Sequence, residues 1–237
     1  MTYLSLKNIS KSYDGKIVFH NQNFDFSQNE IVFFVGKNGV GKTTLMETIV
    51  GLNQPDQGTI MLDGRELRIP YDVSARKQLS FLPTENQLVN YLNAKENLAY
   101  FAEIYRIKDY EPTISGLIKN YLFADQEKKL VKDYSTGMKR RLSLALIDLI
   151  DAPVIILDEP SLGLDIYNTD FLRKQLWAYR QARKLVIVTS HDLLLCQRLA
   201  DRVYLFSNDQ VVEYQGKAMR NLEQGILDSY DITQSSV

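Results

Sequence analysis

The chain has 237 residues, a formal net charge of −1, and 45% hydrophobic and 24% charged residues. These values are typical of a globular protein with a sizeable core, and they indicate no general attraction to nucleic acids or acidic lipids. One cysteine, Cys196, excludes an intramolecular disulfide, and two histidines, His20 and His191, argue against a structural zinc site. Without a signal-peptide core or an apolar run of roughly 18–20 residues, the chain is expected to be soluble and cytosolic.

Residues 1–35 have the pattern of β-strands. Polar and apolar residues alternate in the first segment, an Asp14-Gly15 turn signal follows it, and the region closes with the apolar run "EIVFFV". A continuous apolar run predicts a strand that is buried on both faces. A later Asp-Gly pair predicts an edge hairpin over residues 58–67.

The region 85–149 is predicted to be helical. Asn93 and Glu96 have the spacing of a capping box, and apolar residues follow at helical intervals. Two short apolar strands come later, one ending at Asp158 and the other at His191, with a helical segment between them. We therefore predict an α/β fold in which a mostly parallel sheet carries an N-terminal antiparallel β-subdomain and an inserted α-helical subdomain.

The segment "GKNGVGKT" matches the pattern G-x-x-x-x-G-K-[ST] and lies between an apolar strand and a helix, as phosphate-binding loops do. Its glycines allow backbone N–H groups to surround a phosphate chain, and the helix N-terminus favours negative charge. Lys42 is expected to reach the β- and γ-phosphates, and the Thr43 hydroxyl to coordinate Mg²⁺. We predict that nucleotide phosphates contact the whole loop: Gly36, Lys37, Asn38, Gly39, Val40, Gly41, Lys42, Thr43 and Thr44.

Three further candidates lie at the ends of predicted strands. Neighbouring side chains at a strand end point in different directions, so Asp158 is expected to hold the metal ion and Glu159 to orient and deprotonate the attacking water. His191 ends another strand at the edge where α/β sheets collect ligands, and we expect it to contact the γ-phosphate. The alternatives are a solvated pair of carboxylates and a purely structural histidine.

In chain order, these motifs resemble those of ATP-binding-cassette (ABC) ATPases over essentially the whole chain. Tyr13 stands where that family places an aromatic residue that stacks on adenine, and "LGLD" matches the loop after the catalytic glutamate. "YSTGM" occupies the place of the family signature, and His191 that of the switch histidine. The resemblance implies a P-loop NTPase core in one ABC ATPase domain, with the ATP-binding part at 1–84 and 150–237 and the helical subdomain at 85–149.

The signature has a specific implication for the opposite subunit. In the family, two nucleotide-binding domains pack head to tail, and each signature helix covers the ATP held by the other domain. The resemblance therefore implies that Ser135 and Gly137 contact the γ-phosphate of ATP bound in a second subunit. That anion is expected to offset the cations of Lys139, Arg140 and Arg141, which are otherwise mildly unfavourable near a helix start. The alternative, for at least one of the three, is a side chain that is simply solvated.

A few positions depart from the family pattern. Thr136 and Met138 replace a glycine and a glutamine of the signature, which puts a ribose contact in doubt. Thr84-Glu85 stand where the family has a glutamine that touches Mg²⁺ and relays contact with the membrane partner, so the role of this loop stays open. The signature and this loop resemble the exporter branch, which handles drugs, peptides or antibiotics in bacteria.

The resemblance implies the ATP-hydrolysing subunit of an ABC transporter, which uses ATP and Mg²⁺ and drives substrate movement, with export favoured. Its expected partners are an integral membrane permease, which would hold it at the inner face of the membrane, and a second ATPase subunit, identical or paralogous. No nucleic-acid partner is expected. The helical insertion is where the family docks its permease. Most of its aromatic rings are expected in the core, and a minority exposed in a patch would serve as a docking anchor.

The main alternative is a non-transport ABC ATPase that acts on ribosomes or DNA. Such proteins usually carry two cassettes in one chain or a long coiled coil, and the sequence has neither. A P-loop GTPase would need an Asn-Lys-x-Asp motif to recognise guanine, and none is present. A purely structural binding module would have no use for Glu159.

Overall fold

The computed structural model describes residues 2–122, 126, 128–207 and 210–231. The strands are β1 (Thr2–Tyr13), β2 (Lys16–Ser27), β3 (Glu30–Gly36), β4 (Gln57–Leu62), β5 (Arg65–Leu67), β6 (Leu79–Leu82), β7 (Val154–Leu157), β8 (Leu185–Thr189), β9 (Arg202–Phe206) and β10 (Val211–Gln215). The helices are α1 (Lys42–Ile49), α2 (Val73–Arg76), α3 (Ala94–Tyr105), α4 (Glu111–Tyr121), α5 (Thr136–Ile150), α6 (Ile166–Gln181), α7 (Leu193–Leu199) and α8 (Leu222–Asp231).

The strands form two sheets. One is a four-stranded antiparallel sheet in the order β2-β1-β4-β5, and it contains both predicted hairpins. The other has six strands in the order β10-β9-β3-β8-β7-β6, and its neighbours are parallel except for the β10–β9 pair. The predicted α/β fold, with a mostly parallel sheet and an antiparallel β-subdomain, is confirmed.

Strand β3 is covered on both faces, as its continuous apolar run predicts. Ile31, Phe33 and Val35 belong to the hydrophobic core on the helix-covered side, whereas Val32 and Phe34 belong to the core shared with the antiparallel sheet. The second core contains a cluster of aromatic rings, with Phe34 packed against neighbours on β2 and β9. Both sheets are therefore joined through β3, the strand that leads into the glycine-rich loop.

Helix α3 begins where the sequence predicts a helix start, with Asn93 as its N-cap. The Asn93 side chain accepts a hydrogen bond from the Glu96 N–H, and the Glu96 carboxylate accepts one from the Asn93 N–H, so the capping box is confirmed.

Of the aromatic rings in the helical insertion, Tyr121 is buried in the core and Phe101 and Tyr110 pack against it. Tyr91 and Tyr100 are the minority that is exposed, at 78% and 48%.

Among the residues described, no helix is long and apolar enough to cross a bilayer.

The strand order brings distant parts of the chain together at one edge. β3, β8, β7 and β6 are neighbours and run parallel, so their carboxyl ends meet at the same edge of the sheet. The segments that follow these ends are the glycine-rich loop, Ser190 and His191, Asp158 and Glu159, and Thr84. Open α/β sheets bind ligands at this edge.

Candidate active site

The glycine-rich loop connects β3 to α1 in backbone conformations that require glycine. Gly41 caps α1 with φ +104°, and a Cβ at this position would lie 2.7 Å from Cγ1 of Val18 on β2. A Cβ at Gly36 would overlap the carbonyl of Phe206. The loop therefore packs against the antiparallel sheet on one side and against β9 on the other.

Lys42 is buried at the first turn of α1. Its Nζ donates hydrogen bonds to the carbonyl oxygens of Gly36, at 2.7 Å, and Lys37, at 2.8 Å. Burial lowers the pKa of Lys42, and the nearby carboxylates of Glu159 and Asp158 oppose this shift. The ammonium group thus lies under the loop, where it can meet an anion that enters the site.

Asp158 is 3% exposed and is surrounded by threonine hydroxyls. Its Oδ2 accepts hydrogen bonds from Oγ1 of Thr43, at 2.8 Å, and Oγ1 of Thr84, at 3.0 Å. Its Oδ1 accepts one from Oγ1 of Thr189, at 2.6 Å. Carboxylate and hydroxyl oxygens are ligands that suit Mg²⁺, so this group of residues fits a magnesium ion that also contacts phosphate.

Glu159 turns away from Asp158 and faces His191. Its φ of +46° is in the left-handed region, which is uncommon for a residue other than glycine. Oε1 of Glu159 lies 3.1 Å from Nε2 of His191, whereas that nitrogen makes its hydrogen bond with Oδ1 of Asn38, at 2.9 Å. Oε1 is buried and has no hydrogen-bond partner among the described residues. A ligand or water molecule is the natural partner for this oxygen.

The pKa of Glu159 follows from the same surroundings. Burial raises the pKa of its carboxyl group above the usual range, and the nearby His191 and Lys42 act in the opposite direction. A higher pKa makes the carboxylate a stronger base, so this side chain suits a proton acceptor.

These groups surround one cavity of about 340 Å³. Its described lining residues are Asn38, Gly39, Gly41, Lys42, Thr43, Thr44, Thr84, Asp158, Glu159, Leu162 and His191. Gly36, Lys37 and Val40 belong to the same loop but are not among them. Tyr13, Ser135 and Gly137 are also absent from the described lining. Tyr13 is 46% exposed at the end of β1, and Nζ of Lys11 lies 5.0 Å from its ring centroid.

The signature segment forms the start of α5. Ser135 caps this helix, and its Oγ accepts a hydrogen bond from the Met138 N–H at 3.3 Å. Gly137 packs directly against Asn168 of α6, where a Cβ would overlap the side-chain amide. Gly137 therefore has a packing requirement inside its own chain.

Two of the three cations at the start of α5 have partners within the chain. The Arg140 guanidinium is buried and donates to the carbonyl oxygens of Pro83, Thr84 and Glu159 at 3.3–3.5 Å. Arg141 donates from Nε to Oδ1 of Asn168 at 2.8 Å. Both side chains turn towards neighbouring segments of the same chain, and the offset of their charges by a bound anion stays a prediction.

Sequence reasoning missed Thr189 and left Thr84 without a role. Thr84 lies just after β6, and Thr189 is the last residue of β8. Both are therefore at the carboxyl edge of the parallel strands, where open α/β sheets bind ligands, and this position was the signal available in the sequence. It also missed Arg140 as an internal contact. No sequence signal identifies that contact, because its carbonyl partners lie in two loops, one at Pro83 and Thr84 and the other at Glu159, that are far apart in the chain.

Comparisons with known proteins agree with this geometry. The sequence profile of the family described as "ABC transporter" matches residues 19–162. The chain is 30% identical to the ABC transporter ATP-binding protein YhcH of Bacillus subtilis, over 99% of this chain and 77% of that protein. It is 30% identical to the SkfA peptide export ATP-binding protein SkfE of Bacillus subtilis, over 90% of this chain and 89% of that protein. It is 29% identical to the human retinal-specific phospholipid-transporting ATPase ABCA4, over 87% of this chain but 9% of that protein.

A solved structure described as the ATP binding subunit of an ABC transporter matches with a TM-score of 0.84 and 25% sequence identity, covering 99% of this chain and 100% of that one. The chain therefore belongs to the ABC transporter family. It is an ATP-binding subunit that hydrolyses ATP, and the sequence-based prediction of its class is confirmed. ATP-binding subunits of this family dimerise and work with membrane subunits.

Proposed function

We propose that the 340 Å³ cavity holds the triphosphate of ATP and that the residues around it carry out hydrolysis. The observation that carries this proposal is the meeting of a buried ammonium group and two carboxylates at the start of α1. Lys42 would leave its loop carbonyls to contact the β- and γ-phosphates. The loop from Gly36 to Thr44 would supply backbone N–H groups to the phosphate chain.

Thr43 and Asp158 would hold Mg²⁺, because their oxygen atoms lie together at 2.8 Å. The ion would neutralise part of the phosphate charge when bound. Glu159 would accept the proton of the attacking water, since its Oε1 has no described hydrogen-bond partner and its pKa is raised by burial. His191 would contact the γ-phosphate, and its position beside Glu159 supports that role.

Two chains would form the complete site. Ser135 and Gly137 would contact the γ-phosphate held by a second subunit, identical or paralogous, and Tyr13 would stack on adenine. The exposure of Leu162, Ile166 and Tyr167 beside the signature helix supports a subunit contact there, because large exposed apolar side chains in one region indicate an interaction surface.

The membrane subunit would bind a groove between the ATP-binding part, 1–84 and 150–237, and the helical subdomain, 85–149. A cavity of about 480 Å³ lies there, with apolar residues such as Phe81 and Ile104 beside the cations Arg76 and Arg106. This contact would hold the chain at the inner face of the membrane. The name of SkfE, a peptide export protein, supports export as the direction, but the differing cargo of ABCA4 leaves the substrate open.

The test of the site is ATP binding by Lys42→Ala, measured with a fluorescent ATP analogue in the presence of Mg²⁺. We expect binding and hydrolysis to be abolished, because the variant loses the fixed charge that faces the phosphates. Lys174→Ala is the matched control, since Lys174 is exposed and pairs with Asp170 on α6. Unchanged affinity of Lys42→Ala for Mg-ATP would contradict the proposed phosphate site.

A further inference from the structure

Thr189 is the last residue of β8 and is fully buried between the two carboxylate residues. Its Oγ1 accepts a hydrogen bond from the Glu159 N–H at 2.8 Å and donates one to Oδ1 of Asp158 at 2.6 Å. One hydroxyl group therefore joins the backbone of Glu159 to the side chain of Asp158. The nucleotide contacts described above do not use this hydroxyl.

The two carboxylate oxygen atoms of Asp158 have different hydrogen-bond donors. Among the described residues, Thr189 is the hydrogen-bond donor to Oδ1, whereas Thr43 and Thr84 donate to Oδ2. Because Oδ1 is held by a bond from β8, the carboxylate plane has one orientation. That orientation leaves Oδ2 facing the Thr43 hydroxyl, on the side of the cavity.

The bond to Glu159 supports a strained turn. Glu159 has φ +46°, a backbone conformation that persists in a residue other than glycine only where its surroundings hold it. The Thr189 hydroxyl accepts the N–H of this residue and so holds the turn from the neighbouring strand. The turn is what brings Oε1 of Glu159 to 3.1 Å from Nε2 of His191.

We propose that Thr189 is a positioning residue for ATP hydrolysis. Its hydroxyl orients the Asp158 carboxylate through Oδ1 and holds the Glu159 backbone in the turn that aims its carboxylate into the cavity. The proposal rests on the roles proposed above for Asp158 and Glu159. Thr189 acts only through these two residues and does not itself touch the nucleotide.

The test compares Thr189→Val with Thr189→Ser. Valine keeps the size and β-branching but removes the hydroxyl, so kcat should fall by about 10- to 100-fold while KM for ATP stays within about twofold. Serine keeps the hydroxyl and should restore most of kcat. The matched control is Thr48→Val, which removes another fully buried threonine hydroxyl and should keep the wild-type rate. Among the described residues, the hydrogen-bond partner of this hydroxyl is the Thr44 carbonyl.

A double variant separates positioning from a general weakening of the fold. If Thr189 acts through Glu159, adding Thr189→Val to Glu159→Gln should slow single-turnover hydrolysis by clearly less than the same substitution slows the wild type. Multiplication of the two effects in full would overturn the proposal, as would equal losses in the valine and serine variants or a wild-type rate in Thr189→Val. If Thr189→Val does not fold, Thr189→Cys replaces it, because a thiol of similar size hydrogen-bonds weakly.

The two proposals fail in different ways. A near wild-type rate in Glu159→Gln alone would contradict the proposed function, whatever Thr189 does. A slow Glu159→Gln together with a fast, folded Thr189→Val would leave the proposed function standing and overturn the role of Thr189.

Discussion

At the scale of single residues, the site gives two adjacent carboxylates different surroundings. Asp158 accepts hydrogen bonds from three threonine hydroxyls, and these hold its two oxygen atoms in place. Glu159 keeps one buried oxygen without a described hydrogen-bond partner and has a raised pKa because of burial. The left-handed turn at Glu159 separates the two side chains. One carboxylate is therefore suited to a metal ion and the other to a proton.

The first prediction at this scale concerns Glu159→Gln. Glutamine keeps the shape but cannot accept a proton, so turnover should fall by about 10²–10⁴-fold. ATP binding should survive, and the ATP-bound dimer should accumulate because its opening requires hydrolysis. Steady-state ATPase assays measure the first effect, and gel filtration with Mg-ATP measures the second. Normal turnover by Glu159→Gln would contradict the role of Glu159 as the proton acceptor.

At the scale of secondary-structure elements, α5 connects the signature segment to the loops that line the cavity. Its first turn carries Ser135 as the cap, and Arg140 one turn later binds the carbonyl oxygens of Pro83, Thr84 and Glu159. Burial lowers the pKa of Arg140, and the Asp158 carboxylate opposes this shift. The buried cation thus ties the start of the signature helix to the loops that follow β6 and β7.

The other end of α5 contains a half-buried carboxylate that joins three helices. Asp148 accepts hydrogen bonds from the Tyr121 hydroxyl of α4 and from Nε2 of Gln175 on α6, the latter at 3.2 Å to Oδ2. Burial raises the pKa of Asp148, although the Tyr121 hydrogen bond acts in the opposite direction. The contact between the helical insertion and α6 therefore includes a carboxyl group that keeps its proton to a higher pH than the same group would in water.

This shift predicts a pH dependence of stability. Because the folded-state pKa of Asp148 is raised, its contribution is fully present below the unfolded-state pKa and is lost as pH rises through the folded-state pKa. Asp148→Asn removes this titration. The melting temperature of the variant minus that of the wild type should therefore increase between about pH 4 and pH 7. Thermal unfolding followed by circular dichroism gives both values, and a constant or decreasing difference would contradict the prediction.

At the scale of the whole molecule, the cavity lacks the signature residues of its own chain. Ser135 and Gly137 are not among the described lining residues, as expected if they serve a second subunit. Gly137 is a poor place to test that arrangement, because any side chain there would overlap Asn168 within the chain. Ser135 is a better position for this test, because aspartate or asparagine in its place would still cap the helix.

The prediction is that Ser135→Asp folds and binds ATP but does not hydrolyse it, because a carboxylate would face the γ-phosphate of the partner. An aspartate at a helix start is itself favourable, by about 0.3–1 kcal/mol, so a loss of activity is not a loss of the helix. The neutral Ser135→Asn is the control and should retain more activity. Mixing Ser135→Asp with Lys42→Ala should restore part of the activity, since each mixed dimer has one site without either substitution. No recovery, or normal hydrolysis by Ser135→Asp alone, would contradict the two-chain site.

Local sequence patterns determined the elements and most candidate residues. The glycine-rich loop, the Asp-Gly turns and the Asn93–Glu96 capping box depend on residues close together in the chain, so their chemistry can be read from spacing alone. The run of apolar residues in β3 likewise predicts burial on both faces. Sequence alone did not tell which aromatic rings of the helical insertion are the exposed ones, Tyr91 and Tyr100, because exposure depends on how the helices pack.

Only the tertiary structure decided which groups meet at the carboxyl edge of the parallel sheet. The hydroxyls around Asp158 come from Thr43, Thr84 and Thr189, which are 115, 74 and 31 residues away in the chain. Their meeting depends on the strand order β3-β8-β7-β6, and no local pattern specifies that order. The inward position of Arg140 has the same origin, because its partners are backbone carbonyls, and every residue type supplies one.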